Sequence, residues 1–276
     1  MSSLKGRTLF ITGGSRGIGR AIALRAARDG ANVVIAAKSA EPHHSLPGTI
    51  FSVADEIRAA GGNALPLQVD VREEDQVRAA LAKAAETFGG IDILVNNAGA
   101  ISFMGVEHTA LKKYDLIQGV NHRATFICAQ LALPYLKQSD NAHILSLSPP
   151  INMAPHWLKP FSPYTVSKYG MTILTLGMAE EFREYGISCN TLWPATYIAT
   201  AAVAVNLGGD GAEAVSRKPE IMADAAHAIL TTAKGSLSGQ SLLDESALAR
   251  IGITDLRSYA CIPENADKLQ KDFFLD

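Results

Sequence analysis

Short apolar stretches of strand character alternate with helix-like stretches along nearly the whole chain, and that alternation restricts the fold more than any other feature of the sequence. Strand-like runs fall at residues 7–11, 32–37, 64–69, 92–95, 142–147, 187–193 and 240–243, with helix-like runs such as 20–29, 52–60, 73–88 and 219–232 between them. Parallel strands need a crossover, usually a helix, so this order predicts an α/β fold: a doubly wound parallel sheet of about seven strands with helices on both faces. Right-handed crossovers then gather the carboxyl ends of the strands along one edge. Gly13, Asp70, Asn97, Ser148 and Pro194 all fall at strand ends, which makes that edge the expected ligand site. No internal repeat, low-complexity tract or Pro-, Gly- or Ser-rich linker divides the chain, so a single domain is expected, with residues 246–276 as a C-terminal extension.

The first strand runs into Gly13, Gly14, Ser15, Arg16, Gly17, Ile18 and Gly19, followed by an alanine-rich helix. This is the context of a dinucleotide site, with GxxxGxG spacing. Gly13 permits the tight turn, Gly17 lets the backbone approach a pyrophosphate, and Gly19 lets the helix pack on the strand. The helix N-terminus offers free N–H groups to the phosphates.

Tyr164 and Lys168 are four residues apart in a segment of helical character. On a helix they share one face, and an ammonium beside a phenol favours phenolate and lowers its pKa towards the range of a general acid or base. Alone, the pair would read as two surface residues of an amphipathic helix. Beside a dinucleotide turn it points to proton exchange with an alcohol or carbonyl while a hydride moves elsewhere.

With Asn96-Asn97-Ala98-Gly99 after the fourth strand, and Asp70 and Asn121 in order between the other motifs, residues 5–245 resemble the short-chain dehydrogenase/reductase family. The runs Ile144 to Pro150, Trp193-Pro194 and Asp272-Phe273-Phe274-Leu275-Asp276 resemble its hydroxysteroid dehydrogenase-like branch, whose eukaryotic members carry an added sterol-carrier domain not expected here. The resemblance implies a Rossmann-type fold in which Asp70, with Val71 beside it, contacts the adenine edge, and Asn97, Ala98 and Gly99 line the adenosine-side groove. It further implies that Tyr164 is the acid/base, that Lys168 binds the nicotinamide ribose, that Asn121 holds a water against the lysine, and that Pro194 lies near the nicotinamide. Asp70 also reads as an ordinary turn residue, and Asn121 as a helix surface residue.

Two positions depart from the family pattern. Pro149 stands where relatives have the serine that polarises the substrate, and proline has neither hydroxyl nor N–H. Ser148 is the nearest replacement and Ser146 a weaker one. Ala195 replaces the usual glycine after Pro194.

The second strand ends Ala36-Ala37-Lys38, with no carboxylate for the ribose hydroxyls of NAD(H). Lys38 and Arg16 favour a 2′-phosphate, so NADP(H) is expected over NAD(H); the alternative is Glu41 serving NAD(H) from further along the loop. The stretches 101–104, 151–161 and 196–207 are expected to wall an apolar pocket for a hydrophobic, lipid-derived carbonyl or alcohol. A net charge of −2 provides no basic field for nucleic acid or an anionic membrane. No apolar run reaches membrane-spanning length and no signal-peptide core precedes the first strand, so a cytoplasmic protein is expected. Cys128, Cys189 and Cys261 read as buried or incidental thiols, and the pair His43-His44 lacks metal-ligand spacing, so no metal is expected. The stretches 111–136 and 164–185 are apolar on more than one face, suggesting a homodimer or homotetramer. Two functions fit: an NADP(H)-dependent oxidoreductase, or a catalytically weak NADP(H)-binding regulatory or scaffold protein.

Overall fold

The computed structural model describes residues 3–43, 46–205 and 211–276. Seven strands, β1 (Thr8–Thr12), β2 (Asn32–Ala37), β3 (Asn63–Gln68), β4 (Ile93–Asn96), β5 (His143–Ser146), β6 (Ser188–Trp193) and β7 (Ser241–Leu243), form one sheet in the order β3-β2-β1-β4-β5-β6-β7. Every pairing is parallel. Successive side chains of a strand point to opposite faces, and here both faces are covered. Leu9, Ile11, Val33, Ile35, Ile93 and Val95 bury one face against α1 (Gly17–Arg28), α2 (Ile50–Ala59), α9 (Glu220–Leu230) and α10 (Asp244–Ala249). Phe10, Val34, Ala36, Leu94 and Ile144 bury the other against α3 (Glu74–Phe88), α5 (Ala124–Leu136) and α7 (Ser162–Glu181). The remaining short helices are α4 (Leu111–Ile117), α6 (Pro155–Leu158) and α8 (Ala201–Val203). Among the described residues no helix is long and apolar enough to cross a membrane.

The helix-like run around residues 115–133 is broken. Between α4 and α5 the chain forms a π-helical turn over Gln118–Arg123, with Asn121 buried inside it. Such turns interrupt the regular ladder and are common at functional sites. Both functional ends of the Asn121 amide are bonded: Oδ1 accepts from Ala100 N–H at 2.7 Å, and Nδ2 donates to Ala100 O at 3.0 Å and Ser167 Oγ at 2.9 Å. The distortion thus ties the loop after β4 to the helix that carries Tyr164.

The last residues do not trail away as an extension. Thr196 pairs with Lys271 in an antiparallel bridge, Tyr197 N–H donates to Gln270 O at 2.9 Å, and Asp272 N–H donates to Ala195 O at 3.1 Å. These contacts dock the tail beside the end of β6. Phe274 is 1 % exposed within a cluster containing Phe161, Tyr164, Tyr169 and Trp193. It also has φ 70, the positive-φ non-glycine among the described residues, so this aromatic anchor is held in a sterically costly conformation.

Candidate active site

Strand order reverses between β1 and β4, and the carboxyl ends of the strands open there into a cavity of about 640 Å³. At one end lies the glycine turn. Gly13 has φ +66, and a Cβ there would stand 2.9 Å from Ala98 Cα; at Gly19 it would meet Asn97 Nδ2 at 2.4 Å and Gly13 O at 2.7 Å. Only glycine fits either place. Asn97 fixes the turn by donating from Nδ2 to Thr12 O (2.9 Å) and Gly13 O (3.0 Å). Thr12 Oγ1 in turn accepts from the N–H groups of Asn97 and Ala98, each at 3.0 Å. Thr12 is therefore a hub, and its one signal in the sequence is its place before Gly13.

Arg16 is the residue before α1, and no side chain caps the first N–H groups of that helix. Its Nη2 donates to Ser39 Oγ at 2.8 Å and Gly48 O at 3.2 Å, while its buried Nε has no partner. Free helix amides beside an unpartnered guanidinium N–H suit the phosphates of a dinucleotide. Gly13, Ser15, Arg16, Gly17 and Ile18 line the cavity; Gly14 and Gly19 shape it from behind.

At the ends of β2 and β3 lies a charge cluster only partly expected. Lys38 pairs with Asp70 at 3.1 Å, and Arg72 forks onto the same carboxylate, its Nε 3.0 Å from Oδ1 and 3.2 Å from Oδ2. The Arg72 hydrogen bonds, helped by Lys38, hold the Asp70 carboxyl well below the usual carboxylate range. Two cations thus share one anion. Val71, Ala98 and Gly99 also line this part of the cavity. Glu41 is exposed and does not line it. His44 lies outside the described residues, as does the 206–207 end of the expected pocket wall.

The far end holds the Tyr164–Lys168 pair. Tyr164 and Lys168 both line the cavity from one face of α7, which begins at Ser162 with Pro163 in its first turn. Lys168 Nζ donates to Leu147 O at 2.6 Å and lies 5.0 Å from the centre of the Trp193 ring. Burial pulls its pKa down to about 8. The expected lowering of the Tyr164 phenol is not found: burial pushes it well above its ordinary value, and the nearby Asp272 adds to the rise. Without a positive group closer to the oxygen, Tyr164 is an acid that keeps its proton at neutral pH.

Ser148 also departs from expectation. It is fully buried and outside the cavity wall, its Oγ 2.9 Å from the hydroxyl of Thr172, which itself lies 2.7 Å from Pro149 O. Ser146 Oγ is likewise turned inward, 2.7 Å from Thr175 Oγ1. Neither faces the site, because the two β5-end hydroxyls pack against threonines of α7.

The substrate-side wall is different from the one expected. Ile101, Phe103, Ile198 and residues 200–203 take part, but no residue of 151–161 does. Instead Asp272 and Phe273 of the tail line the cavity. Phe273 stacks on Phe103 (centroids 4.8 Å apart) and on Tyr197 (5.8 Å), while Trp157 and Phe161 support it from behind. Pro194 lies on the wall beside Trp193.

Comparison with known proteins agrees with this geometry. Residues 7–207 match the model of the short chain dehydrogenase family. The chain is 56% identical over 273 residues to hydroxysteroid dehydrogenase-like protein 2 of Xenopus laevis, covering 99% of this chain and 64% of that protein. It thus spans less than two thirds of that relative's length. The crystal structure of a candidate dehydrogenase from Xanthomonas campestris is 55% identical, with a TM-score of 0.95 over 99% of both chains. A short chain dehydrogenase from Mycobacterium thermoresistibile is 54% identical, with a TM-score of 0.93 over 99% of this chain and 96% of that one.

Proposed function

Because the chain belongs to the short-chain dehydrogenases, an oxidoreductase family, we propose that it interconverts an alcohol and a carbonyl on a hydrophobic, lipid-derived substrate using NADP(H). One observation carries this reading: a single cavity joins the glycine turn and Arg16 at one end to Tyr164 and Lys168 at the other. When bound, NADPH supplies hydride to a carbonyl carbon. Tyr164 gives its proton to the carbonyl oxygen, and in the reverse direction takes it back. Lys168, held by Leu147 O, keeps an N–H available to a ribose hydroxyl while its charge favours the phenolate left after transfer. Asn121 acts at one remove, since Ser167, to which its amide donates, donates in turn to Tyr164 O at 2.7 Å. The apolar wall of Phe103, Ile198 and Phe273 excludes water and suits an alkyl or ring substrate.

Preference for NADP(H) is supported by Lys38 and Arg72 on the Asp70 carboxylate and by Arg16, bonded to Ser39 and lining the same cavity, with no acid at Ala36 or Ala37. Lys38→Asp is expected to raise the NADPH dissociation constant by about tenfold or more, through loss of a cation and gain of an anion beside the 2′-phosphate. Titration calorimetry with both cofactors checks it; equal affinity of the unmutated chain for NADPH and NADH contradicts the preference.

We also propose that the chain is a homodimer or homotetramer. Phe126 on α5 and Val166 and Ile173 on α7 are 50 %, 55 % and 60 % exposed, an apolar face on the two helices expected to pair. Light scattering should give at least twice 29.3 kDa at micromolar concentration; the monomer mass contradicts it.

The competing reading, a cofactor-binding protein without turnover, draws on Pro149 and on the inward-turned Ser148. A screen of NADPH oxidation with ketones, 3-oxoacyl thioesters and fatty aldehydes separates the two. Turnover of any class supports the enzyme; NADPH binding with no turnover supports the alternative.

A further inference from the structure

The tail places a carboxyl on the wall of the cavity that Tyr164 and Lys168 line. Asp272 lines the same cavity as Tyr164 and Lys168 and is 8 % exposed. Its backbone is fixed by the N–H bond to Ala195 O, and among the described residues the hydrogen bond to its carboxyl is from Phe273 N–H to Oδ1 at 2.6 Å. That leaves Oδ2 without a protein donor among the described residues, on a side chain that lines the cavity. We propose that Asp272, as a neutral carboxylic acid, is the second hydrogen-bond donor to the substrate carbonyl oxygen, the role left open by Pro149. The assignment rests on the oxidoreductase reading above.

The surroundings explain why the acid is neutral. It shares the cavity wall with Phe103, Trp193 and Phe273, apolar rings that offer a carboxylate little solvation. A second buried carboxyl, Asp244 at the start of α10, lies close enough for like charges to repel; its Oδ1 accepts from Ala195 and Glu245 N–H, while its buried Oδ2 has no partner. Lys168 is the facing cation, yet it makes no ion pair within 4 Å among the described residues. Burial first, and Asp244 second, push the Asp272 pKa up to about 8, whereas Asp244 is held near about 6. Burial raises Asp272 further than Asp244, so of the two acids it is the one assigned the proton.

A carbonyl oxygen has two lone pairs. Tyr164 donates to one and transfers its proton as hydride reaches the carbon; Asp272 donates to the other and retains its proton throughout. Atoms and charge therefore balance with Tyr164 alone as the proton source. An ionised Asp272 would repel the developing alkoxide, so the neutral state is essential to the role.

Two readouts test the assignment. In the first, difference infrared spectra of the whole chain at pH 7, with ¹³C-labelled aspartate, should show a protonated-carboxyl C=O band that Asp272→Asn removes; absence of the band, or its persistence in the variant, overturns the proposal. In the second, with a carbonyl that the unmutated chain reduces, Asp272→Ala should lower kcat about 10²–10³-fold with NADPH affinity unchanged, as for loss of one oxyanion donor. Asp272→Asn, which keeps an N–H donor and the side chain's size, should stay within about tenfold of the unmutated kcat. Asp272→Ala at full turnover, or Asp272→Asn as slow as Asp272→Ala, overturns this assignment alone. An unmutated chain that reduces no carbonyl overturns the oxidoreductase reading itself, and this role falls with it.

Discussion

Tyr164→Phe should lower kcat by about 10²–10⁴-fold while leaving the NADPH dissociation constant nearly unchanged, because it removes the proton-carrying oxygen and nothing else. The ring stays in the aromatic cluster beside Phe103, Phe161 and Phe274. Among the described residues the phenol oxygen makes no hydrogen bond to the protein, so the variant leaves no buried partner unpaired and its melting temperature should hold. Turnover and calorimetry on the purified variant check it. More than a tenth of the unmutated turnover would remove Tyr164 from the acid's role.

At the opposite end of the cavity, Gly19→Ala should raise the NADPH dissociation constant about 10–100-fold, equivalent to the ~1–3 kcal/mol of a forced repacking. The new methyl would stand 2.4 Å from Asn97 Nδ2 and 2.7 Å from Gly13 O. Asn97 would then leave the carbonyls of Thr12 and Gly13, and the turn would lose the brace that keeps its amides aimed at phosphate. The melting temperature should fall as well. Unchanged affinity together with unchanged melting temperature would show that the turn does not depend on this brace.

The sheet was legible because its information is local and periodic. All seven strands were expected where they occur, β2 with the same limits and the others displaced by a residue or two, since apolar runs between helical segments have few alternative uses. The glycine turn and the Tyr164–Lys168 face were equally legible, each being set by spacing within one element. What could not be read were meetings between distant segments. Nothing in the run Ser146-Leu147-Ser148 says that its hydroxyls turn towards Thr172 and Thr175. The π-turn at Asn121 looks helical in sequence because helix formers such as Leu111, Lys112, Ala124 and Leu131 flank it on both sides, and only the amide's grip on Ala100 reveals the distortion. Likewise, Asp70 was assigned to adenine, but its engagement by both Lys38 and Arg72 depends on how the ends of β2 and β3 lie side by side. The tail is the largest omission. Asp272-Phe273-Phe274 marks a family branch in the sequence, but nothing in the run places it at the cavity until its pairing with residues 195–197 is seen. An acid followed by two aromatics was the available signal, and its meaning was positional.

The central claim is that one cavity brings a bound NADPH and Tyr164 to the same carbonyl. Its most direct test is transfer of label from NADPH deuterated at the hydride position to the product alcohol, read by mass spectrometry for a substrate found in the NADPH screen. One deuterium is expected on the carbinol carbon with the unmutated chain, and a rate lower by about 10²–10⁴-fold with Tyr164→Phe. NADPH that binds tightly but passes no deuterium to any carbonyl, or label transfer that proceeds equally well without the Tyr164 hydroxyl, would contradict it.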